Sequence, residues 1–209
     1  PISVADHLVS LGLSAPRCLA RDLAHGFLLL EDLGDGIFAR LIAGDAGLEA
    51  PLYTAATDVL VRLQSRPAMA ALTDLSAADW ADAAGFAPDW YAFAATGHRP
   101  ETADFRNALR DLLGQHADGA RVMILRDYHA ENLIWLPDRP GVAGVGLLDF
   151  QLAQMGQPGY DLVSLLQDAR RDVSPEIETA MIARFVTASG TGDAAFRRAY
   201  AVLGAQRAL

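Results

Sequence analysis

Three short apolar runs, Val122 to Leu125, Leu133 to Leu136 and Val145 to Leu148, stand inside a chain whose other segments carry helical spacing. Runs of this length and composition read as strands, separated here by a polar loop, Arg126 to Asn132, and a Pro/Gly-rich turn, Pro137 to Gly144. A small β region set among helices makes the fold class α+β. The ends of these runs are polar in a way that no core needs. Leu125-Arg126-Asp127-Tyr128-His129-Ala130-Glu131-Asn132 follows the first run and leads into the second, and Leu147-Leu148-Asp149-Phe150-Gln151 ends the third on a carboxylate. A carboxylate directly after a buried strand is costly unless it leaves into a polar site or meets a cation.

The helical segments come before and after. Ser3 with Asp6 is a capping-box-like start for a first helix carrying Val4, Leu8, Val9 and Leu11, and Gly12 stops it. Cys18 to Ala20 and Phe27 to Leu30 read as a small hairpin that runs into Glu31-Asp32-Leu33-Gly34-Asp35-Gly36, a flexible connection and the best domain boundary. Ile37, Phe38, Leu41 and Ile42 mark a short helix, and Leu52 to Leu63 a longer, central one. Ser76 with Asp79 caps a segment bearing Trp80, and Pro88 opens another that ends near Gly97. Trp80, Phe86, Trp90, Tyr91 and Phe93 read as core rather than as a substrate wall. Phe105 to Leu113 adds a helix, Tyr160 to Ala169 reads as amphipathic, Ser174-Pro175 caps a helix closed by Gly190, and Phe196 to Leu203 is the last.

The 209 residues are 52% hydrophobic with a net charge of −9, enough for a sizeable core. All 17 basic residues are arginine, which excludes a lysine Schiff base, nucleophile or phosphate clamp from within this chain. For the composition alone, coding bias is a sufficient account. The acidic balance makes nucleic acid and anionic membrane poor partners and welcomes a cationic substrate. Cys18 stands alone and no apolar run approaches a membrane span, so a cytoplasmic location is expected. The chain opens at Pro1 in helical sequence and reads as part of a longer protein.

Asp127, Asn132 and Asp149 converge if the first two share one loop and the third ends a neighbouring strand. That is how an oxygen-ligand Mg²⁺ site beside a general base is built. Each piece also has a plain structural reading: Asp127 and Asp149 as turn caps, Glu31-Asp32 as a solvated turn.

Together, Arg126-Asp127 with Asn132, then Asp149-Phe150, then Gly156-x-Pro158-x-Tyr160-Asp161-Leu162, resemble the catalytic and metal loops of the protein-kinase-like fold, in the form found in aminoglycoside phosphotransferases and choline kinases. Leu125 to Leu136 and Tyr160 to Val173 are most similar to bacterial kinases that phosphorylate the anomeric hydroxyl of cell-wall amino sugars. The resemblance implies a bilobal fold, with 1–33 a remnant of the N-lobe and 34–209 a helical C-lobe. It implies ATP and Mg²⁺ as cofactors and a small-molecule hydroxyl acceptor, a sugar or an aminoglycoside. Asp127 then accepts the acceptor's proton, Asn132 and Asp149 hold Mg²⁺, and Leu30, Glu31, Asp32 and Leu33 form the adenine hinge through the Glu31 carbonyl and Leu33 amide. Asp161 braces the catalytic loop. The stretch from Trp80 to Arg106 lines or covers the sugar site. His129 either touches phosphate or substrate or holds the loop; Arg126 either neutralises phosphate charge or pairs with Glu131 or a neighbouring acid.

Two departures stand out. Leu125 replaces the family's histidine, and the chain lacks both the Gly-rich phosphate loop and its lysine. By itself the chain is expected to be incompetent for phosphoryl transfer unless an arginine takes the clamp role. A catalytically inactive kinase-like binding module is the alternative, and a metallohydrolase using Asp127, His129 and Asp149 is a third reading. The acidic surface suits an aminoglycoside, whereas the loop resemblance favours an amino sugar.

Overall fold

The computed structural model describes residues 2–70 and 72–208. Pro1 and Leu209, the ends of the sequence, therefore lie outside the described residues. In chain order the elements are α1 (Ile2–Ser10), β1 (Cys18–Asp22), β2 (Phe27–Leu30), α2 (Phe38–Gly44), α3 (Glu49–Gln64), α4 (Ala77–Ala84), α5 (Phe93–Thr96), α6 (Ala103–His116), β3 (Val122–Ile124), β4 (Leu133–Trp135), β5 (Val145–Leu147), β6 (Gln154–Gly156), α7 (Tyr160–Leu166), α8 (Pro175–Ser189) and α9 (Asp193–Arg207).

Local chemistry sets most helix ends. Ser76 and Asp79 form a reciprocal capping box at the start of α4. The Ser174 side chain accepts from the Ile177 amide to open α8, and Gly190 closes it at φ +69°. Ser3 is not a cap, because α1 begins at Ile2 and already includes it. Pro88 lies in a π-helical turn, Ala87–Ala92, that continues into α5.

The strands form three antiparallel two-stranded ribbons rather than one sheet. β1 pairs with β2, β4 with β5 (Leu133 opposite Leu147, Trp135 opposite Val145), and β3 with β6 (Val122 opposite Gly156). The polar loop 126–132 therefore crosses from the β3·β6 ribbon to the β4·β5 ribbon.

α3 is central: Tyr53, Ala56, Val59 and Leu60 are fully buried. α7 packs against α3, α8 and α9. All seven of its residues are buried, Asp161 and Ser164 included, so it is an interior helix and not the amphipathic one its sequence indicates. The aromatic cluster is also corrected. Trp80 belongs to the core, but Phe86, Trp90, Tyr91 and Phe93 are exposed, Phe86 just before the π turn and the others on that turn and the short α5, which carry no buried residue.

Candidate active site

The loop carrying Asp127 is fixed from behind by a buried carboxylate. The Leu125 and Arg126 amides donate to the two oxygens of Asp161 at 2.7 and 2.9 Å. Burial pushes the Asp161 carboxyl up to about 6, against the opposing pull of those amides and of Arg207. Arg126 sits at φ +73° and its carbonyl accepts from the Ser164 hydroxyl at 3.2 Å. Tyr128 is buried and donates to the Ala56 carbonyl of α3 at 2.8 Å, anchoring the next residue of the loop. Between these two anchors Asp127 is half-buried.

Among the described residues, only Arg126 and Asp149 are non-glycine residues at positive φ, +73° and +56°. An L-residue there carries backbone strain that surrounding contacts must hold. Both lie in the two motifs singled out from the sequence.

Asn132 and Asp149 come together as the spacing predicts. The Leu148 amide donates to the Asn132 carbonyl at 3.0 Å, extending the β4·β5 ribbon by one bond and bringing Asp149 to the same ribbon end as Asn132. Asn132 Nδ2 is engaged by the Asp127 carbonyl at 3.0 Å and by His129 Nε2 at 3.2 Å, which turns the carboxamide so that Oδ1 is its remaining oxygen. Gln151 Nε2 donates to Asp149 Oδ1. Two oxygen-bearing side chains fit Mg²⁺, which keeps waters and substrate phosphates as its other ligands. Among the described residues no group of three or more His, Cys, Asp or Glu side chains is arranged to hold a metal. Asp127, His129 and Asp149 therefore do not assemble the centre that the metallohydrolase reading requires.

His129 is buried, and burial, then the charge of Arg170, hold its imidazole below the ordinary histidine range. With Nε2 against Asn132, the ring holds the loop together. Arg126 does not pair with Glu131, whose carboxylate meets Arg170 at 3.4 Å. Its guanidinium instead lies over Trp80, 5.5 Å from the ring centroid.

At the other end of the Asp149 motif, β2 leads into the hinge. Leu30 ends the strand and is partly exposed, Leu33 is buried, and Asp32 accepts from the Gly34 amide at 2.8 Å in a tight turn. The Glu31 carboxylate accepts from Arg139 at 2.9 Å and from the Arg17 amide at 3.3 Å. Burial raises its pKa, but these hydrogen bonds and the two arginine charges outweigh that and hold the carboxyl below its usual range. The Glu31 side chain is thus a structural tie. Between hinge and metal corner lies an apolar cavity of about 150 Å³, lined by Cys18, Leu28, Leu30, Leu148 and Phe150, with Asp149 at its edge.

A larger cavity, about 540 Å³, opens on the other side of the loop among α4, α7 and α9, with Trp80, Arg126, Tyr160, Asp168, Arg170 and Arg207 in its wall.

Residues 2–201 match the phosphotransferase enzyme family. The chain belongs to that family. Among curated relatives of this family member, it is 41% identical to an N-acetylmuramate/N-acetylglucosamine kinase of Caulobacter vibrioides, over 98% of the chain and 59% of that protein. It is 34% identical to a kinase of the same description from Pseudomonas aeruginosa, over 80% of the chain and 48% of that protein. The chain thus spans about half to three-fifths of the length of the curated relatives it matches. An aminoglycoside phosphotransferase from Streptomyces rimosus, solved in complex with ADP and streptomycin, superposes with a TM-score of 0.61 at 19% identity, covering 96% of this chain and 79% of that one. The fold of this family member is the α+β, protein-kinase-like fold.

In this family member the sequence motifs indicated the 126–132 loop, the Asn132–Asp149 corner and the 30–33 turn, but not Asp168, Gln206 or Arg207 in the larger cavity. Gln206 and Arg207 sit at the end of a helix with no motif around them, and only the packing of α9 against α4 and α7 brings them to the loop.

Proposed function

We propose that the protein is an ATP- and Mg²⁺-dependent kinase that moves the γ-phosphoryl group to a hydroxyl of a small molecule, an amino sugar. The observation that carries this reading is the bond from the Leu148 amide to the Asn132 carbonyl. It joins Asn132 and Asp149 at one ribbon end, on a loop whose other end, at Asp127, is braced by Asp161.

In this reading the Asp127 carboxylate accepts the acceptor's hydroxyl proton as the sugar oxygen bonds to the γ-phosphorus. The bond from phosphorus to the bridging oxygen breaks and ADP leaves. Asn132 Oδ1 and Asp149 hold Mg²⁺, which when bound supplies positive charge against the phosphate oxygens. The apolar cavity takes the adenine ring; of the four hinge residues only Leu30 lines it, and the Glu31 carbonyl and Leu33 amide, next along the chain, are the backbone groups this reading assigns to adenine. Most of the rate enhancement comes from positioning, since phosphoryl transfer asks little covalent chemistry of the protein. The names of the curated relatives support an N-acetylated amino sugar as acceptor, and the loop resemblance favours its anomeric hydroxyl as the site of transfer.

The two-part division belongs to the same proposal. The β1·β2 ribbon is exposed along most of both strands, while the elements from α2 onward, α5 and β6 apart, share one core, which α1 also joins. Residues 1–33 are read as the remnant of the smaller lobe and 34–209 as the larger one.

The test is transfer of labelled phosphate from ATP by the full-length protein to amino sugars, aminoglycosides and choline, with the product position read by NMR. Label on an amino sugar at the anomeric carbon is the expected result. No transfer together with no Mg-ATP binding by calorimetry would sink the kinase reading and leave the binding module.

A further inference from the structure

The cavity behind Arg126 is built for a polar ligand. Four polar atoms of its lining are buried without a protein partner: Trp80 Nε1, Arg126 Nε, Asp168 Oδ2 and Gln206 Oε1. Native interiors leave few such atoms, so a cluster of two donors and two acceptors beside one cavity is unmet polar capacity among the described residues. Trp80 is 2% exposed, Gln206 7%, and the Asp168 side chain 1%, so these are interior groups beside the cavity. At about 540 Å³ the space falls within the roughly 300–1,000 Å³ typical of small-molecule sites.

Its charge is opposite to that of the molecule. The chain carries −9, yet this cavity is lined by three guanidiniums, of Arg126, Arg170 and Arg207, against one carboxylate, Asp168. Arg170 is taken up by Asp168 at 3.2 Å and Glu131 at 3.4 Å. Arg126 and Arg207 form no ion pair with a side-chain carboxylate among the described residues. Each lies over an aromatic ring: Arg126 over Trp80 at 5.5 Å, Arg207 over Tyr160 at 5.2 Å while donating to the Tyr160 hydroxyl at 3.0 Å. Guanidiniums held over aromatic rings are preorganised to grip a carboxylate.

We propose that this cavity selects an acceptor carrying a carboxylate, with Arg126 and Arg207 as its specificity-determining residues. This inference rests on the kinase reading, because Arg126 is the loop neighbour of Asp127 and links the cavity to the reacting hydroxyl. Asp168 Oδ2 and Gln206 Oε1 accept from sugar hydroxyl or amide groups, and Trp80 Nε1 donates. A polycationic aminoglycoside meets like charge here, so the expectation of a cationic substrate, drawn from net charge, is reversed at the site.

N-acetylmuramate and N-acetylglucosamine differ by a carboxylate-bearing ether and serve as the probes. Calorimetric titration of the full-length protein is expected to give tighter binding of the first by roughly ten-fold or more, the range of a charge-assisted hydrogen bond. Arg207→Met and Arg126→Met should collapse that ratio toward one, Arg207→Lys should restore part of it, and Arg198→Met on the exposed face of α9 should leave it alone. Equal binding of both sugars by the wild type overturns the inference, as does an equal loss for both sugars in the arginine variants. Arginine-dependent preference without phosphoryl transfer would strike the kinase reading and keep the inference; transfer to both sugars with no difference in binding would do the reverse.

Discussion

Asp161 is the residue from which the catalytic loop hangs, and its environment makes a pH prediction. Burial raises its carboxyl from 3.8 to about 6. A carboxyl held above its unfolded value favours the folded state when protonated. Its contribution is full below about pH 4 and is lost as pH rises through about 6, by on the order of 3 kcal/mol. Asp161→Asn cannot titrate, so the stability of wild type relative to the variant, from urea unfolding between pH 4 and pH 7, should fall as pH rises. A gap independent of pH would mean that Asp161 does not titrate in that window. Asp127 makes the second residue-scale prediction. Asp127→Ala should lower kcat by on the order of 10²–10⁴ while leaving Mg-ATP affinity nearly intact, because it removes the proton acceptor and neither metal ligand. Steady-state kinetics beside ATP titration checks this.

At the scale of elements, the hinge is held against β4 at Gly36. The Trp135 amide donates to the Gly36 carbonyl at 2.7 Å, and a Cβ at position 36 would fall 2.8 Å from the Trp135 carbonyl oxygen. Backbone on both sides leaves little room to yield. Gly36→Ala should therefore destabilise the fold by roughly 1–3 kcal/mol and raise KM for ATP, since the hinge and the β4·β5 ribbon bearing Asn132 would be pushed apart. Denaturation midpoints and ATP kinetics test the two halves separately. The elements were largely legible in the sequence where their signals are local. The Ser76–Asp79 box, Pro175 after Ser174 and the period of Leu52 to Leu63 need no partner to be read. α7 was legible as a helix but not as an interior one, because its burial comes from three neighbours that its own pattern does not encode. The exposed Phe86, Trp90, Tyr91 and Phe93 escaped for the converse reason: hydrophobic residues carry no mark of whether another element arrives to cover them.

At the scale of the whole molecule, Arg139 ties distant parts together. It donates to the Ser14 hydroxyl at 2.9 Å and to Glu31 at 2.9 Å from the turn that joins β4 to β5. The pair is partly solvated, so Arg139→Met should change global stability by no more than about 1 kcal/mol. It should nevertheless raise KM for ATP severalfold by releasing Glu31 at the hinge, a split that unfolding curves and kinetics together resolve. The larger cavity is a property of this scale alone.

The strand ends alone marked Asp127, Asn132 and Asp149 as one polar corner, because a carboxylate placed directly after a buried strand has few tolerable explanations, whereas their reading as base and metal ligands, and of 30–33 as a hinge, rests on the family resemblance. The sequence by itself also determined the α+β class, through the change of period around Arg121 and Phe150. The sign of charge at the larger cavity emerges only from the packing of α4, α7 and α9. Electrostatic selection depends on distance and local dielectric rather than on a sum over the chain. A chain of net charge −9 can thus present Arg126 and Arg207 in the wall of one cavity, once α7 and α9 pack together behind the loop.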